Sequence, residues 1–333
     1  MDEFVDRYLI GRSPAFLRAI TLLGKFASCE ATVLIQGETG TGKELAARAI
    51  HYLSSRRDLP FIPVNCGALP DNLLESELFG YARGAFTDAK EARAGLIAQA
   101  KGGTLFLDEI EAMSQRAQVT LLRFLQDKEY RPLGGVAVRD ANVRVIGSTN
   151  SDLDAMVQSG AFRSDLLFRL NVLVLTLPPL RERPGDVALL AEEFLARLNC
   201  QSGGPAKVLD PDSLASLDAF AWSGNIRELE NVIQRAFVLT DGSIIRISDL
   251  DRCRGRMAGT LYPQEDAGAT FRHAKARAVA EFEKRYIAAL LERTSGNLSL
   301  ASRLSGKDRS DLGKLVRKHS LDRRSFVGAS TRR

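Results

Sequence analysis

Two short motifs hold residues whose types and spacing suit phosphate chemistry. The segment GETGTGK places Gly37, Gly42 and Lys43 in the G-x-x-x-x-G-K spacing of a phosphate-binding loop. Glycines let successive backbone N–H groups curl around a phosphate, and the lysine neutralises charge on its oxygens. An apolar run farther along ends in Asp108 and Glu109, a pair suited to holding hydrated Mg²⁺ and polarising an attacking water. Together the motifs predict binding and hydrolysis of ATP.

A phosphate loop requires a strand before it and a helix after it, and the sequence predicts both. Residues 31–35 form a short apolar run, and apolar residues recur at helical spacing after Lys43. Further strands are predicted at residues 61–65, at 104–107 and from Val143 onward. The pattern predicts an α/β fold whose N-terminal nucleotide domain has four or five parallel strands.

Three polar residues near these motifs bear on the metal and on the γ-phosphate. Glu44 stands where Ser or Thr usually ligates Mg²⁺, so more of the metal's positioning depends on other groups. Thr149 and Asn150 end the fourth predicted strand, where a side chain can sense the γ-phosphate. The alternative is that Asn150 caps a helix that begins at residues 152–153.

Prolines, glycines and helical periods divide the rest of the chain. Helical periods at residues 187–198, 214–220 and 226–239 predict a small helical lid from about residue 178 to 250. Residues 251–270 lose periodicity and gather Gly, Pro and charge, which predicts a linker.

The C-terminal segment is basic. Residues 270–333 contain 16 Lys and Arg against 6 Asp and Glu, a net +10, which leaves −5 for residues 1–269. Such asymmetry indicates a nucleic-acid-binding end on a mildly acidic body, although a solvated basic tail is the alternative.

Two short predicted helices in this segment, at residues 298–304 and 309–319, fit a DNA-binding helix-turn-helix. Six apolar residues are available for its inner face, namely Leu300, Ala301, Leu304, Leu312, Leu315 and Val316. Four basic residues are predicted to point outward from the second helix toward DNA, namely Arg309, Lys314, Arg317 and Lys318. Gly313 inside that helix costs about 1 kcal/mol of helix propensity relative to alanine. The alternative is a dimerising helical bundle with a solvated basic face.

Composition narrows the class of protein. A length of 333 residues suggests two or three domains, and 45% apolar with 26% charged residues is typical of a globular protein. We expect a cytoplasmic location with no membrane contact, because no apolar run reaches 18 residues and no signal peptide is evident. The four cysteines Cys29, Cys66, Cys200 and Cys253 lack metal-site spacing and are expected to be reduced and mostly buried.

The ordered motifs of the chain resemble the AAA+ domain of bacterial sigma-54 activators, also called enhancer-binding proteins. The similarity covers nearly the whole chain and includes LIGRSP, GETGTGKE, PVNCGALP, ESELFGYARGAFTDA, GGTLFLDEI, FRSDLLFRLNV, LPPLRERPGDV and WSGNIRELENVIQRA. The hexapeptide GAFTDA resembles the family's GAFTGA loop, which contacts sigma-54. Asp88 replaces a glycine of that loop, and Phe86 and Thr87 are expected to keep the contact.

The resemblance implies roles for particular residues. Those implied to bind ATP are Ile10, Gly11, Gly37, Glu38, Thr39, Gly40, Thr41, Gly42, Lys43, Glu44 and Arg227. Those implied to contact sigma-54 are Gly84, Ala85, Phe86, Thr87, Asp88 and Ala89. Asn65 matches the switch residue that holds the catalytic Glu109, and Arg163 and Arg169 match arginines that reach the γ-phosphate of a neighbouring subunit.

The resemblance also implies an architecture and partners. It divides the chain into an α/β subdomain (1–177), a helical lid (178–250), a linker (251–270) and a Fis-type helix-turn-helix domain (271–333). The implied assembly is a ring, typically a hexamer, with a dimer as the inactive form, made of this chain alone or with a close relative. Because the chain starts almost directly at the ATPase, we expect control by a separate regulatory protein, a partner subunit or expression level.

These observations predict a bacterial transcription activator that binds upstream DNA and remodels the sigma-54 RNA polymerase holoenzyme with Mg²⁺ and ATP. One alternative is a DNA-binding regulator that uses ATP to control oligomerisation and does not contact sigma-54, because the loop reads GAFTDA. Another is a general AAA+ remodelling machine, which the hexapeptide and the basic C-terminal segment disfavour.

Overall fold

The structure is a computed structural model that describes two compact units, within residues 1–255 and 256–333. The described residues are 7–68, 70–86, 89–246, 283, 286–287, 290–291, 294, 297–305 and 307–319. Among the helices of these residues, none is long and apolar enough to cross a membrane.

A five-stranded parallel sheet forms the centre of the first unit. The strands of its α/β part are β1 (Val33–Gln36), β2 (Phe61–Asn65), β3 (Gly80–Tyr81), β4 (Arg93–Ala94), β5 (Thr104–Asp108), β6 (Glu129–Tyr130), β7 (Arg139–Asp140), β8 (Arg144–Thr149) and β9 (Leu173–Thr176). The order in the central sheet is β2-β5-β8-β1-β9. The predicted α/β fold is therefore confirmed, and each predicted strand lies within about two residues of an observed one.

The register of the sheet brings the predicted functional residues to one edge. Asn65 pairs with Asp108 across β2 and β5, and Gln36 pairs with Thr149 across β1 and β8. In parallel strands the carboxyl ends lie at the same edge, where ligands bind in open α/β sheets. The phosphate loop begins at this edge, directly after β1.

Helices cover both faces of the sheet. They are α1 (Pro14–Ala27), α2 (Lys43–Tyr52), α3 (Asp71–Phe79), α4 (Leu96–Gln99), α5 (Gln115–Asp127), α6 (Leu153–Gln158) and α7 (Ser164–Leu170). One apolar core contains Leu105 and Leu107 of β5 with residues of α3 and α5, and the other contains Phe106 with residues of α1 and α2. Alternate residues of β5 therefore point into opposite cores, as the period of a strand requires.

A small helical lid follows β9. It contains α8 (Asp186–Ser202), α9 (Pro211–Ser216), α10 (Asn225–Leu239) and the short paired strands β10 (Val208–Leu209) and β11 (Ile244–Ile245). α8 and α10 pack together through buried residues that include Leu190, Phe194, Leu229 and Ile233. The three helical periods predicted from the sequence correspond to these helices.

A buried ion pair attaches the segment before α1 to the lid. Arg183 and Asp186 have side chains 1% exposed and lie 2.9 Å apart. Asp186 also accepts hydrogen bonds from the backbone N–H groups of Arg12, at 2.6 Å, and Ser13, at 3.0 Å. The Arg183 guanidinium donates to the carbonyl of Ile10 at 2.7 Å. The pair therefore joins residues 10–13 to the start of α8 and the turn before it.

The second unit contains α11 (Leu298–Ser305) and α12 (Arg309–Lys318), as predicted for the helix-turn-helix. The Asn297 side chain accepts from the N–H groups of Ser299 and Leu300 and so caps the N-terminus of α11. The core of the second unit contains Ile287, Leu290, Leu291, Ala301, Leu312 and Val316.

Two predictions for the inner face of this unit are wrong. Leu300 is 44% and Leu304 is 55% exposed. Leu298 and Ala301, one turn apart, supply the inward stripe of α11 instead. Gly313 lies within the continuous helix α12, and a Cβ there would meet no atom within 4 Å, so packing within the chain does not require glycine.

The expectation of mostly buried thiols is also wrong for the residues that can be described. Cys29 and Cys200 are exposed, and Cys66 is buried. Burial raises the pKa of the Cys66 thiol, and the nearby carboxylates act in the same direction. Cys253 lies outside the described residues, among which no cluster of His, Cys, Asp and Glu is suited to a metal ion.

The Arg183–Asp186 pair predicts a large effect of one substitution. Asp186→Asn should lower the free energy of unfolding by about 3–5 kcal/mol, because it leaves a buried guanidinium without its counter-ion. Denaturant unfolding followed by tryptophan fluorescence measures this. Glu193→Gln is the control on the same helix, since Glu193 pairs with Arg197 at the surface, where a pair contributes about 1 kcal/mol or less.

The difference between wild type and Asp186→Asn should depend on pH. Burial alone would raise the pKa of Asp186, but hydrogen bonds from Arg12, Arg183 and Ser13 outweigh it and hold that pKa below its ordinary value. The stabilisation is therefore present above the ordinary aspartate pKa of about 4 and is lost as the pH falls through the lower, folded value. A difference that already closes between about pH 5 and 7 would contradict this assignment.

Candidate functional site

The phosphate loop connects β1 to α2 and holds its lysine in place. The Lys43 ammonium donates to the carbonyls of Gly37, at 2.8 Å, and Glu38, at 3.2 Å. Burial lowers the pKa of Lys43, while Asp108, Glu111 and Glu109 oppose that shift. Gly42 precedes the helix with φ +97°, a conformation that favours glycine. The loop therefore presents a cation and a helix N-terminus to the same space.

Two adjoining cavities lie along the loop. A polar cavity of about 240 Å³ is lined by residues that include Lys43, Asp108, Glu109, Asn150 and Arg227. An apolar cavity of about 130 Å³ is lined by residues that include Ile10, Ile20, Leu23, Leu45, Phe194 and Ile226. Polar groups beside an apolar slot suit the phosphates and the flat base of a nucleotide. Ile10 could be identified from the sequence, whereas the other five apolar residues could not, because they come from four separate helices.

The remaining predicted ATP-binding residues have varied positions. Thr41 donates its hydroxyl to the Glu38 carbonyl at 2.8 Å, and Glu44 is an exposed partner of Arg48 at 2.7 Å. Gly11 packs against the buried pair described above, since a Cβ there would lie 2.6 Å from an Arg183 nitrogen. The Glu38 carboxylate is bound by Arg181, in the segment between β9 and the lid, and by Asn225 of α10.

Asp108 and Glu109 sit at the end of β5, beside the phosphate loop. Asp108 accepts hydrogen bonds from the Ser148 hydroxyl and from the Glu109 N–H, so one of its oxygens has a fixed direction. Glu109 has φ +55°, in the left-handed region that non-glycine residues seldom adopt outside functional sites. A Cβ on Gly67 would lie 2.6 Å from a carboxylate oxygen of Glu109, so glycine there leaves room for it.

Among the predicted switch and sensor residues, the side chains of Asn65 and Thr149 bond nearby backbone groups, whereas that of Asn150 bonds the phosphate loop. The Asn65 side-chain oxygen accepts from the N–H groups of Gly67 and Ala68, and the described hydrogen bonds do not join Asn65 to Glu109. Thr149 is buried and bonds the backbone of Ser151. Of the three side chains, that of Asn150 bonds the phosphate loop, since its amide donates to the Thr39 hydroxyl at 3.1 Å.

The alternative role for Asn150, as a helix cap, is not realised. Asp152 caps α6 instead, because its side chain accepts from the Ala155 N–H. The Asn150 N–H donates to Glu111, whose other carboxylate oxygen is buried without a hydrogen-bond partner. Glu111 was not identified from the sequence, although it lies two residues beyond the Asp-Glu pair.

Of the two candidate trans-acting arginines, Arg163 precedes α7 and Arg169 lies in its last turn. Arg163 pairs with Asp165 at 2.6 Å, and Arg169 donates to the carbonyl of Leu125 at 3.1 and 3.2 Å. Neither is among the residues that line the two cavities along the phosphate loop. Phe168, between them, is 80% exposed. Both arginines therefore lie on a surface that also exposes the aromatic ring of Phe168.

The GAFTDA loop lies between the short antiparallel strands β3 and β4. Gly84 has φ +79° and donates to the carbonyl of Ala89 at 2.8 Å, which closes the loop at its base. Phe86 is 46% exposed, and its ring contacts the ring of Tyr81 edge-on at a centroid distance of 4.9 Å. Ala85 lies at the surface beside Gly134, whereas Thr87 and Asp88 lie outside the described residues.

A second loop, between β6 and β7, supports the first. Leu133 donates to the Gly80 carbonyl at 2.8 Å and accepts from the Ala82 N–H at 2.9 Å. Beyond Leu133, the side chain of Val136 is 89% exposed. The sequence analysis did not identify this loop, because its contacts with β3 join segments about fifty residues apart along the chain.

The four basic residues of α12 are not equivalent. Lys318 pairs with Glu283 of a preceding helical segment at 2.8 Å, and His319 bonds the same carboxylate. Lys314 pairs with Asp311 at 3.0 Å on the exposed face. Arg309 and Arg317 are also exposed. All four side chains are therefore exposed as predicted, although Lys318, 56% exposed, is also paired with a residue outside α12.

Three family models match successive parts of the chain. Residues 9–176 match a sigma-54 interaction domain, and residues 181–258 match an AAA+ ATPase lid domain. Residues 278–318 match the Fis family of bacterial regulatory proteins.

Relatives of known sequence or structure cover the same extent. The regulatory protein AtoC of Escherichia coli strain K12 is 43% identical over 315 residues, which are 95% of this chain and 68% of that protein. The alginate biosynthesis transcriptional regulatory protein AlgB of Pseudomonas aeruginosa is 42% identical over 94% of this chain and 68% of its own length. The crystal structure of NtrX from Brucella abortus in complex with ATP is 32% identical, with a TM-score of 0.71, over 94% of this chain and 69% of that chain.

Proposed function

The chain belongs to the bacterial sigma-54 activator family of AAA+ ATPases, and on that premise we propose how its residues perform ATP-driven activation of transcription. It combines a sigma-54 interaction domain, an AAA+ lid and a Fis-type DNA-binding domain. It is an ATPase and a sigma-54-dependent activator. The observation that carries the function is the joint presence of a nucleotide cavity along the phosphate loop and a surface loop with a half-exposed Phe86.

At the nucleotide site, the apolar cavity receives the base and the polar cavity receives the phosphates. Lys43 neutralises charge on the phosphate oxygens, Arg227 approaches them from the lid, and Asn150 senses the γ-phosphate from the end of β8. Glu109 polarises the attacking water. Asn65 is the candidate switch, and in that role its side chain would exchange its bonds with Gly67 and Ala68 for one with Glu109.

Magnesium fits the donor chemistry of this cavity. Asp108 presents hard carboxylate oxygen, the donor that Mg²⁺ prefers, and Ser148 and the Glu109 N–H fix its direction. The metal would neutralise charge on the phosphate oxygens during transfer. Glu44 is engaged with Arg48, so Asp108 is the principal protein ligand in this proposal.

Chelation with EDTA should therefore abolish hydrolysis in a phosphate-release assay.

The active form is proposed to be a ring in which each nucleotide site is completed by a neighbour. Arg163 and Arg169 are distant from the cavities of their own chain, and the exposed Phe168 beside them suits burial against another subunit. A guanidinium supplied in trans can contribute a rate factor of about 10³ to 10⁵ in phosphoryl transfer. The ring is typically a hexamer in this family, and a dimer is the proposed inactive form.

The target and location follow from the same domains. We place the protein in the bacterial cytoplasm, bound through α12 to upstream DNA, where the GAFTDA loop engages the sigma-54 RNA polymerase holoenzyme. The ring is proposed to contain this chain alone or this chain with a close relative, and a separate regulatory protein is proposed to act on it.

Mixing two inactive variants tests the shared site. Lys43→Ala and Arg169→Ala should each lose ATPase activity, whereas an equimolar mixture should recover about a quarter of the wild-type rate, because head-to-tail contacts pair an intact Lys43 with a neighbour's Arg169. Phosphate release by the mixture measures this, and Arg163→Ala is tested in the same way. Mixed oligomers that form without recovering activity would contradict a trans role.

In vitro transcription from a sigma-54 promoter tests the function as a whole. Open complexes should form with hydrolysable ATP and not with a non-hydrolysable analogue. Phe86→Ala should abolish open complexes while leaving ATP hydrolysis within about twofold, because a loop-tip ring does not touch the nucleotide site. Binding to purified sigma-54 with a transition-state analogue of ATP is the second readout. No binding by wild type, but binding by Asp88→Gly, would favour the regulator that does not contact sigma-54.

Salt dependence tests the DNA contacts. On a random-sequence DNA duplex, Arg309→Ala and Arg317→Ala should each weaken binding and lower the slope of log affinity against log salt by about one. Lys318→Ala is the matched control and should have a smaller effect, because its ammonium is already paired with Glu283. Equal effects of all three substitutions, or a flat dependence for wild type, would contradict this assignment.

A further inference from the structure

Asn225 links the lid to the phosphate loop through a fully buried side chain. Its amide donates to a Glu38 carboxylate oxygen at 3.1 Å and to the Thr39 carbonyl at 3.0 Å. Its side-chain oxygen accepts from the Leu180 N–H, in the hinge before the lid, at 2.7 Å. Asn225 is 0% exposed and has φ +53°, a left-handed conformation that asparagine tolerates better than most residues.

Two further contacts join the same three segments. The Arg181 guanidinium holds Glu38 by two bonds, at 2.6 and 2.8 Å, and the Ile226 N–H donates to the Gly40 carbonyl at 3.0 Å. Each of the consecutive loop residues 38, 39 and 40 is therefore bonded to the hinge or to the lid. The Arg181–Glu38 pair is about half exposed and contributes modestly by itself, whereas the Asn225 bonds are shielded from water.

The Glu38 side chain anchors the phosphate loop, which distinguishes it from the side chains of its neighbours. Hydrogen bonds from Arg181 and then Asn225 hold the pKa of its carboxyl below the ordinary value, so it stays charged at neutral pH. A carboxylate beside a triphosphate would repel it, but here the charge is compensated by Arg181. The side chain of Glu38 is thus the point at which the loop is held.

We propose that Asn225, with Glu38 and Arg181, is a positioning network that couples the lid to the phosphate loop, so that the loop is held in its binding shape and follows the lid. The proposal rests on the nucleotide site proposed above and deepens it. These three residues position the loop backbone, through which the phosphates are bound. A lid that moved with nucleotide state would displace residues 38–40 directly.

The chain contains its own reporter of this network. Trp222 is its single tryptophan, is 0% exposed, and donates from its indole to the Leu217 carbonyl at 2.9 Å. The Asn225 N–H donates to the Trp222 carbonyl at 2.8 Å. Intrinsic fluorescence therefore reports on the lid segment that carries Asn225.

The test uses the full chain and titration with a non-hydrolysable ATP analogue, followed by Trp222 fluorescence. Asn225→Asp places a second carboxylate against Glu38 and should weaken binding at least about tenfold, because a buried charge-assisted bond becomes a repulsion. The double variant Asn225→Asp with Glu38→Gln restores the bond between positions 38 and 225 with donor and acceptor reversed, but not the bond to the Thr39 carbonyl or the ion pair with Arg181. It should therefore bind the analogue more tightly than Asn225→Asp alone and less tightly than wild type.

Two more variants separate positioning from general stability. Asn199→Ala is the matched control, since Asn199 makes two bonds of 2.8 Å to the backbone of Lys207, wholly within the lid. It should lower the melting temperature and leave analogue affinity within about twofold. Asn225→Gly removes the side chain but favours the same left-handed backbone, so it should weaken binding even if Asn225→Asp folds poorly.

The outcomes are distinct. Wild-type affinity in both Asn225 variants, or a double variant no tighter than Asn225→Asp, would overturn the network. A wild-type chain that neither binds the analogue nor hydrolyses ATP would instead overturn the nucleotide site on which the network rests. Steady-state kinetics adds a further readout, since loss of loop positioning should raise KM for ATP more than it lowers kcat.

Discussion

Parallel pairing in a single register is the constraint on which the nucleotide site depends. Because β2, β5, β8 and β1 end level with one another, Asn65, Asp108, Asn150 and the phosphate loop converge without any direct sequence proximity. A slip of one residue in β5 would turn Asp108 into an apolar core and bring Leu107 to the edge. The apolar clusters on both faces of the sheet therefore stabilise the geometry of the site as well as the fold.

The parts that could be predicted from the sequence are those that local chemistry determines. The glycine loop, its flanking strand and helix, and the Asp-Glu pair at the end of β5 each occupy a few consecutive residues with characteristic types. The bonds that attach the loop to the lid could not be predicted in this way. Arg181 and Asn225 are 143 and 187 residues from Glu38, and a single Arg or Asn carries no signal of such a partner.

The differences in the second unit have a similar origin. Leu300 and Leu304 were assigned inward because apolar residues at helical spacing usually are, but the inward stripe of α11 passes through Leu298 and Ala301. Lys318 is exposed, as its position on α12 predicts, but its pairing with Glu283 is not contained in the sequence pattern. Periodicity gives the existence of a helix, whereas the direction of a side chain depends on tertiary neighbours that the pattern does not contain.

The contact between Tyr81 and Phe86 has a consequence for partner selection. In the free protein the Phe86 ring already packs against Tyr81 of β3. An aromatic pair of this kind contributes about 0.5–1.5 kcal/mol. A partner must replace that contact to take the ring, so weak encounters are discriminated against. The threshold for engagement is thus set in part by Tyr81, a residue outside the hexapeptide, and sequence change there can tune the loop without altering the motif itself.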